Sequence, residues 1–125
     1  MTYIISKDFP WSASHQLVGL PEDHPCSRLH GHNYIARVTI TADTLDDTGF
    51  VIDYGQLAGV RRYIDDTLDH QHLNYILRFN PTAENLARHL SDVVSKALTT
   101  SGARDDLTVS VAVSETPKTW ATWTP

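Results

Sequence analysis

Residues 32–42, HNYIARVTITA, alternate with period two: Tyr34, Ala36, Val38 and Ile40 fall on one face, and Arg37, Thr39 and Thr41 on the other. Successive side chains of an extended strand point to opposite sides, so this stretch reads as a strand with one buried face. The period then changes. In NPTAENLARHLSDVVSKALTTSG, Ala83, Leu86, Ala87, Leu90, Val93, Val94, Ala97 and Leu98 form a helical stripe, opened by an Asn-Pro-Thr cap signal and closed at Gly102. LTVSVAVSE returns to period two with Leu107, Val109, Val111 and Val113 inward. A half-buried sheet needs a cover and an amphipathic helix needs a surface to lie on, so the two periods together predict an α+β arrangement.

The remaining segments fill in that plan. Tyr3, Ile5, Phe9, Trp11, Ala13 and His15 share one parity, and Pro10 marks their strand as an edge or bulged one. Residues 19–28, with Pro21 and Pro25, read as a loop. DTLDDTG is turn-rich and FVIDY is a short apolar run, so residues 34–53 read as an antiparallel hairpin. Asp53 is placed to cap a helix carrying Leu57, Val60, Ile64 and Leu68, and a last short strand spans Trp120 to Trp123. The expected order is strand, strand, strand, helix, helix, strand, strand: one domain over residues 1–125, an antiparallel β-sheet with two helices on one face.

Composition narrows the function classes. With 41% hydrophobic and 20% charged residues, 125 residues are enough to bury one core. The single cysteine excludes an internal disulfide and points to a reducing cytoplasm. MTYIISKDFPW has neither a basic start nor a long apolar run, so no signal peptide is expected, and no stretch is long enough to span a membrane. A net charge of −5 argues against nucleic acid as a partner.

Six of the seven histidines fall in two places: His15, His24, His30 and His32, then His70 and His72. His30 and His32, two apart on extended backbone, point the same way, and His15 ends another strand on its apolar face; two neighbouring strands would bring three imidazoles to one point, as a catalytic zinc requires. Cys26 has two readings here. As a fourth zinc ligand it would close the shell and make the site structural, whereas a free thiol beside a metal or imidazole is a base or nucleophile. Asp69 beside His70 is either a carboxylate orienting a proton-carrying imidazole or a solvated helix terminus. Glu115 falls on the inward parity of its strand, where a carboxylate needs a partner; the paired N–H donors of a guanine- or pterin-like edge would supply one, unless the strand has already left the core before Pro117. His24 is placed in a solvated loop and His89 on the polar side of its helix, neither with a role.

Taken together, FPWSASH, CSRLHGHNY, TGFVIDY, LDHQHLN, NPTAENLA and VSETP resemble, in order and spacing, the family of 6-pyruvoyl-tetrahydropterin and 6-carboxytetrahydropterin synthases. The resemblance runs from Phe9 to Pro117 and implies the tunnelling fold, in which sheets of several subunits join into a barrel. It also implies zinc on His15, His30 and His32, with Cys26 outside the shell as the catalytic base. Asp69 and His70 match the pair that assists proton transfer, and Glu115 matches the pterin anchor. Because the family's site is shared between subunits, a homo-oligomer, commonly a hexamer, is implied. Cys26 lies four residues before His30, a spacing that looks like the bacterial 6-carboxytetrahydropterin synthases, which convert 7,8-dihydroneopterin triphosphate on the route to queuosine. Trp11 and Ser12 depart from the residues usual in the family before ASH and put no proposed site residue in doubt. For the triphosphate, Arg28, Lys7 and Lys118 are the candidate cations.

Overall fold

β1 (Tyr3–His15) and β2 (His30–Ala42) form one long antiparallel hairpin in the computed structural model, which describes residues 1–125; Tyr3 pairs with Ala42 at one end and His15 with His30 at the other. Their alternation puts Phe9, Trp11, Tyr34, Val38 and Ile40 on a common buried face. Thr108–Thr116 (β4) pairs with β2 on its other side, and Thr119–Trp123 (β5) returns along β4. A two-residue strand, Gln71–His72 (β3), adds to β1 at Ala13–Ser14 in parallel, so the sheet is mixed, in the order β3-β1-β2-β4-β5. The flank of β1 from Tyr3 to Ser12 therefore has no strand beside it, which is where a proline is tolerated, and no bulge interrupts its register with β2.

The hairpin expected over residues 34–53 does not form. After Ala42 the chain closes on Asp46, whose carboxylate accepts the N–H groups of Thr48 (2.9 Å) and Phe50 (2.8 Å), with Gly49 at φ +92°. Val51 and Ile52 follow and are buried against the core without joining the sheet. An apolar pair gains its burial either way, and the edge of β2 that a third strand would have used is taken by β4.

The helices cover the buried face. Asp53 caps as expected, accepting from Gly55 N, but the helix changes pitch: a 3₁₀ turn at Tyr54–Leu57, α1 at Ala58–Tyr63, then a π turn at Ile64–Leu68. Leu57, Val60, Ile64 and Leu68 stay buried throughout. A short α2 (Leu73–Ile76) leads to α3 (Ala83–Thr100). Thr82 caps α3 by accepting from Asn85 N, and Gly102, at φ +76°, ends it with Gly102 N donating to Thr99 O and Ala103 N to Leu98 O. That closure uses two of the carbonyls a helix end leaves free. No helix of the chain is long and apolar enough to cross a membrane.

Candidate active site

His15 and His30 are direct neighbours across the end of the β1–β2 hairpin, and His32 faces Ala13 one pair further in. Strand parity puts all three on the helix-covered face, where one nitrogen of each lies within 4.8 Å of the others. The hydrogen bonds settle which nitrogen is free. His15 Nδ1 lies 2.8 Å from Pro81 O and His30 Nδ1 lies 2.7 Å from Arg28 O; a carbonyl only accepts, so both Nδ1 atoms carry the proton. Both Nε2 atoms are then lone pairs, yet they face each other at 2.9 Å, while His32 Nε2 is buried with no partner. Two acceptors facing each other repel, and a cation between them and the unpartnered His32 Nε2 resolves this; the carbonyl on the far nitrogen of His15 and His30 is the usual support of a metal-bound imidazole. Burial pushes His15 down to about 4, against the pull of the Pro81 carbonyl, and it lowers His32 against the opposing charge of Glu115. Neutral imidazole is the ligand form. The donor set therefore fits a metal ion.

Cys26 is not among the converging atoms. It sits half-buried in a 3₁₀ turn, Pro25–Ser27, whose cap is His24: His24 Nδ1 accepts the Cys26 N–H at 3.1 Å. His24 thus has a structural role that composition did not reveal, although a polar residue directly before Pro at the first helical position is a cap signal. Leu17 N donates to Cys26 O at 2.9 Å and Gln16 Nε2 to Ser27 O at 3.1 Å, so the turn folds back onto the residues following His15. Those residues are held in turn by two asparagines. Asn74 pairs with both backbone groups of Gln16, and Asn80 with both of Val18, at 2.7–3.0 Å. Neither clamp was legible from the cap signal at Asn80, because its partner is 62 residues away.

Asp69 and His70 do form a pair. His70 Nδ1 lies 2.9 Å from Asp69 Oδ2, and Ser12 N–H donates to Asp69 Oδ1 at 2.9 Å. That backbone N–H, and then the His70 imidazole, hold the Asp69 carboxyl below its ordinary range. The π turn positions it: Asp69 N donates to Ile64 O, five residues back, and the helix ends there. His70 follows at φ +60°, a left-handed conformation uncommon without glycine, with its N–H on Ser12 O. Its side chain is 82% exposed and borders a shallow cleft with Ser12, Ser14, Gly31 and Asn33, which lie on the sheet face away from the helices. Within one chain, the three imidazoles face the helices, whereas the Asp69–His70 pair is bonded to the Ser12 backbone at the β1 edge and borders a cleft that also touches His32.

Glu115 is neither buried alone nor solvated. Its carboxylate oxygens lie 3.6 Å from His32 Nε2 and 4.0 Å from His15 Nε2, and it borders a cleft of about 680 Å³ with Trp11, Asn33, Asp69 and Pro117. A shift of register between Val113 and Thr116 against β5 marks the bulge that carries it, with Ser114 Oγ donating to Thr116 O. Of the candidate cations, Arg28 lends its carbonyl to His30 and Lys118 sits in the turn beside the cleft-lining Pro117. Lys7 lies over the Phe9 ring, eight residues or about 26 Å of strand before His15. His89, expected on a polar face, is instead half-buried between α1 and α3, where its Nε2 and Tyr63 OH share a hydrogen bond of 2.5 Å. The helical stripe is wider than its apolar residues alone indicate.

Residues 4–125 match the sequence profile of the 6-pyruvoyl tetrahydropterin synthase family. The chain belongs to this family. A family relative from Bacillus subtilis, 6-carboxy-5,6,7,8-tetrahydropterin synthase, is 33% identical over 128 residues, covering 99% of this chain and 86% of its own. A protein of the same name from Rickettsia typhi is 33% identical over 104 residues, covering 67% of this chain and 74% of its own. Among solved structures, the 6-pyruvoyl tetrahydropterin synthase of Caenorhabditis elegans superposes with a TM-score of 0.80 at 23% identity, over 100% of this chain and 96% of that one. The fold is the tunnelling fold, with its helices on one face of the sheet.

Proposed function

We propose that this protein is a zinc-dependent lyase, 6-carboxy-5,6,7,8-tetrahydropterin synthase, which converts 7,8-dihydroneopterin triphosphate and water to 6-carboxy-5,6,7,8-tetrahydropterin, acetaldehyde and triphosphate. The observation that carries this reading is the convergence of His15, His30 and His32 with Glu115 alongside, in a chain with a full-length relative of that name. A zinc ion on the three histidines supplies Lewis-acid polarisation of a substrate side-chain oxygen. Glu115 accepts the paired N–H donors of the pterin ring and holds it in register. Cys26, outside the ligand set, is the base that takes the proton from the polarised side chain. Asp69 keeps the proton of His70 on Nδ1, which leaves Nε2 to accept and return protons.

The placement of the histidines toward the helices and of the relay at the outer edge of the same hairpin supports a site completed by a second chain: the ligands, Cys26 and Glu115 from one, Asp69 and His70 from its neighbour. A homo-oligomer, on the family pattern a hexamer whose sheets join into a barrel, follows from this reading. We place the enzyme in the cytoplasm, on the route to queuosine and related 7-deazaguanines. Incubation of the zinc-loaded protein with 7,8-dihydroneopterin triphosphate, with products identified by mass, tests the proposal. Acetaldehyde and a 6-carboxy pterin are expected; a 6-pyruvoyl product would reassign the chemistry to triphosphate elimination, and no turnover with zinc bound would leave a pterin-binding protein.

A further inference from the structure

Ser12 ties three residues together around the relay. Its N–H donates to Asp69 Oδ1 (2.9 Å), its carbonyl accepts from His70 N (2.6 Å), and its hydroxyl donates to Asn33 Oδ1 (2.7 Å). Ser12 and Asn33 are direct partners across β1 and β2, and their neighbours Trp11 and Tyr34 are buried, so both point away from the helices. With Oδ1 turned to the Ser12 hydroxyl, the carboxamide presents its NH₂ group away from Ser12. The Asn33 NH₂ group is left with two donors and no partner within the chain.

That NH₂ group has a defined outlook. Asn33 borders the cleft beside His70, about 440 Å³, and also the cleft that reaches Asp69 and Glu115. Gly31, next on the same face, leaves the strand surface beside it without a side chain. Gln71 is the other carboxamide on the His70 cleft, and of the two only Asn33 also borders the second cleft, so Asn33 offers free neutral donors beside the relay.

We infer that Asn33 is a further substrate-binding residue, whose NH₂ group, aimed by Ser12, donates to an oxygen of the substrate's side chain as that chain passes His70. The inference rests on the synthase reading for the identity of the substrate. The oxygen belongs either to a side-chain hydroxyl or to the triphosphate, and both present the acceptor the amide needs.

The test compares Asn33→Ala, Asn33→Asp and Ser12→Ala with the parent protein, all zinc-loaded. Loss of the donor is expected to raise KM for 7,8-dihydroneopterin triphosphate about ten-fold in Asn33→Ala, with kcat within about three-fold. Ser12→Ala should move KM the same way by less, because the amide is present but no longer aimed. Asn33→Asp separates the two acceptors: a phosphate is repelled, so KM rises further and calorimetric affinity for inorganic triphosphate falls, whereas a hydroxyl can donate to the aspartate and KM recovers. Unchanged KM in Asn33→Ala overturns the inference, as does a KM rise accompanied by loss of bound zinc or of the oligomer, which would mark a structural role. Should the parent protein turn over no pterin, the synthase reading fails, and calorimetric titration of parent and Asn33→Ala with 7,8-dihydroneopterin triphosphate decides alone: equal affinity overturns the inference.

Discussion

Cys26 and His70 are each presented by a small set of backbone contacts. Cys26 stands in a single 3₁₀ turn capped by the residue two before it, and His70 is held in a left-handed conformation by one hydrogen bond to Ser12 O. Substitutions can therefore remove the chemistry and keep the scaffold. Cys26→Ala is expected to lower kcat by ~10²–10⁴-fold, the usual worth of a positioned base, while metal analysis shows zinc retained at the parent stoichiometry. Full turnover with zinc bound would sink the base assignment. His70→Asn keeps a side chain that tolerates positive φ, so the melting temperature should stay close to the parent value while kcat falls over a similar range. His70→Ala, which lacks that tolerance, should lose stability as well, on the order of 1 kcal/mol by denaturant titration.

At the scale of elements, the loop that carries Cys26 is held less by its own turn than by the segment leading into α3. Asn74 and Asn80 each make two hydrogen bonds to the backbone of residues 16–18, and the carbonyl of Pro81, between Asn80 and Thr82, accepts from His15 Nδ1. Asn80→Ala should cost about 2 kcal/mol for two lost bonds and lower kcat, and limited proteolysis within residues 17–28 should speed up. A variant with unchanged cleavage in that loop would show that the clamp does not restrain it. The α1–α3 contact gives a pH dependence. Burial holds the His89 imidazole below its ordinary 6.5, with Asp92 pulling the other way. The unfolded chain takes up the proton more readily than the folded one, so this contribution is complete above pH 6.5 and is lost as the pH falls below it. Urea midpoints measured from pH 7 to pH 5 should fall more steeply for the parent than for His89→Gln. Parallel curves would show that His89 carries none of the slope.

At the scale of the molecule, the proposed site draws its histidines, Cys26 and Glu115 from one chain and its Asp69–His70 pair from a neighbour, and that division is testable. Cys26→Ala and His70→Asn chains, each nearly silent alone, should regain a fraction of parent activity when unfolded together and reassembled. Mixed oligomers would contain sites with both residues intact. No recovery in verified mixed oligomers would mean that each site draws Cys26 and His70 from the same chain.

The amino-acid sequence by itself determined the periods, the caps and the residue types. The alternation of β1, β2 and β4, the α3 stripe and its end at Gly102, the Asp53 cap and the identity of three candidate ligands all follow from local spacing, because strand and helix geometry decide which side chains share a face. Tertiary structure decided what local spacing leaves open. FVIDY satisfies a strand pattern equally as a buried plug, and which it becomes depends on β4 occupying the edge of β2. The clamps from Asn74 and Asn80, the Ser12 contacts with Asp69, His70 and Asn33, the burial of His89 against Tyr63 and the approach of Glu115 to His32 join residues that no periodicity relates. Hydrogen bonds are made at about 3 Å between whatever groups packing brings together, and that proximity is a property of the folded chain alone.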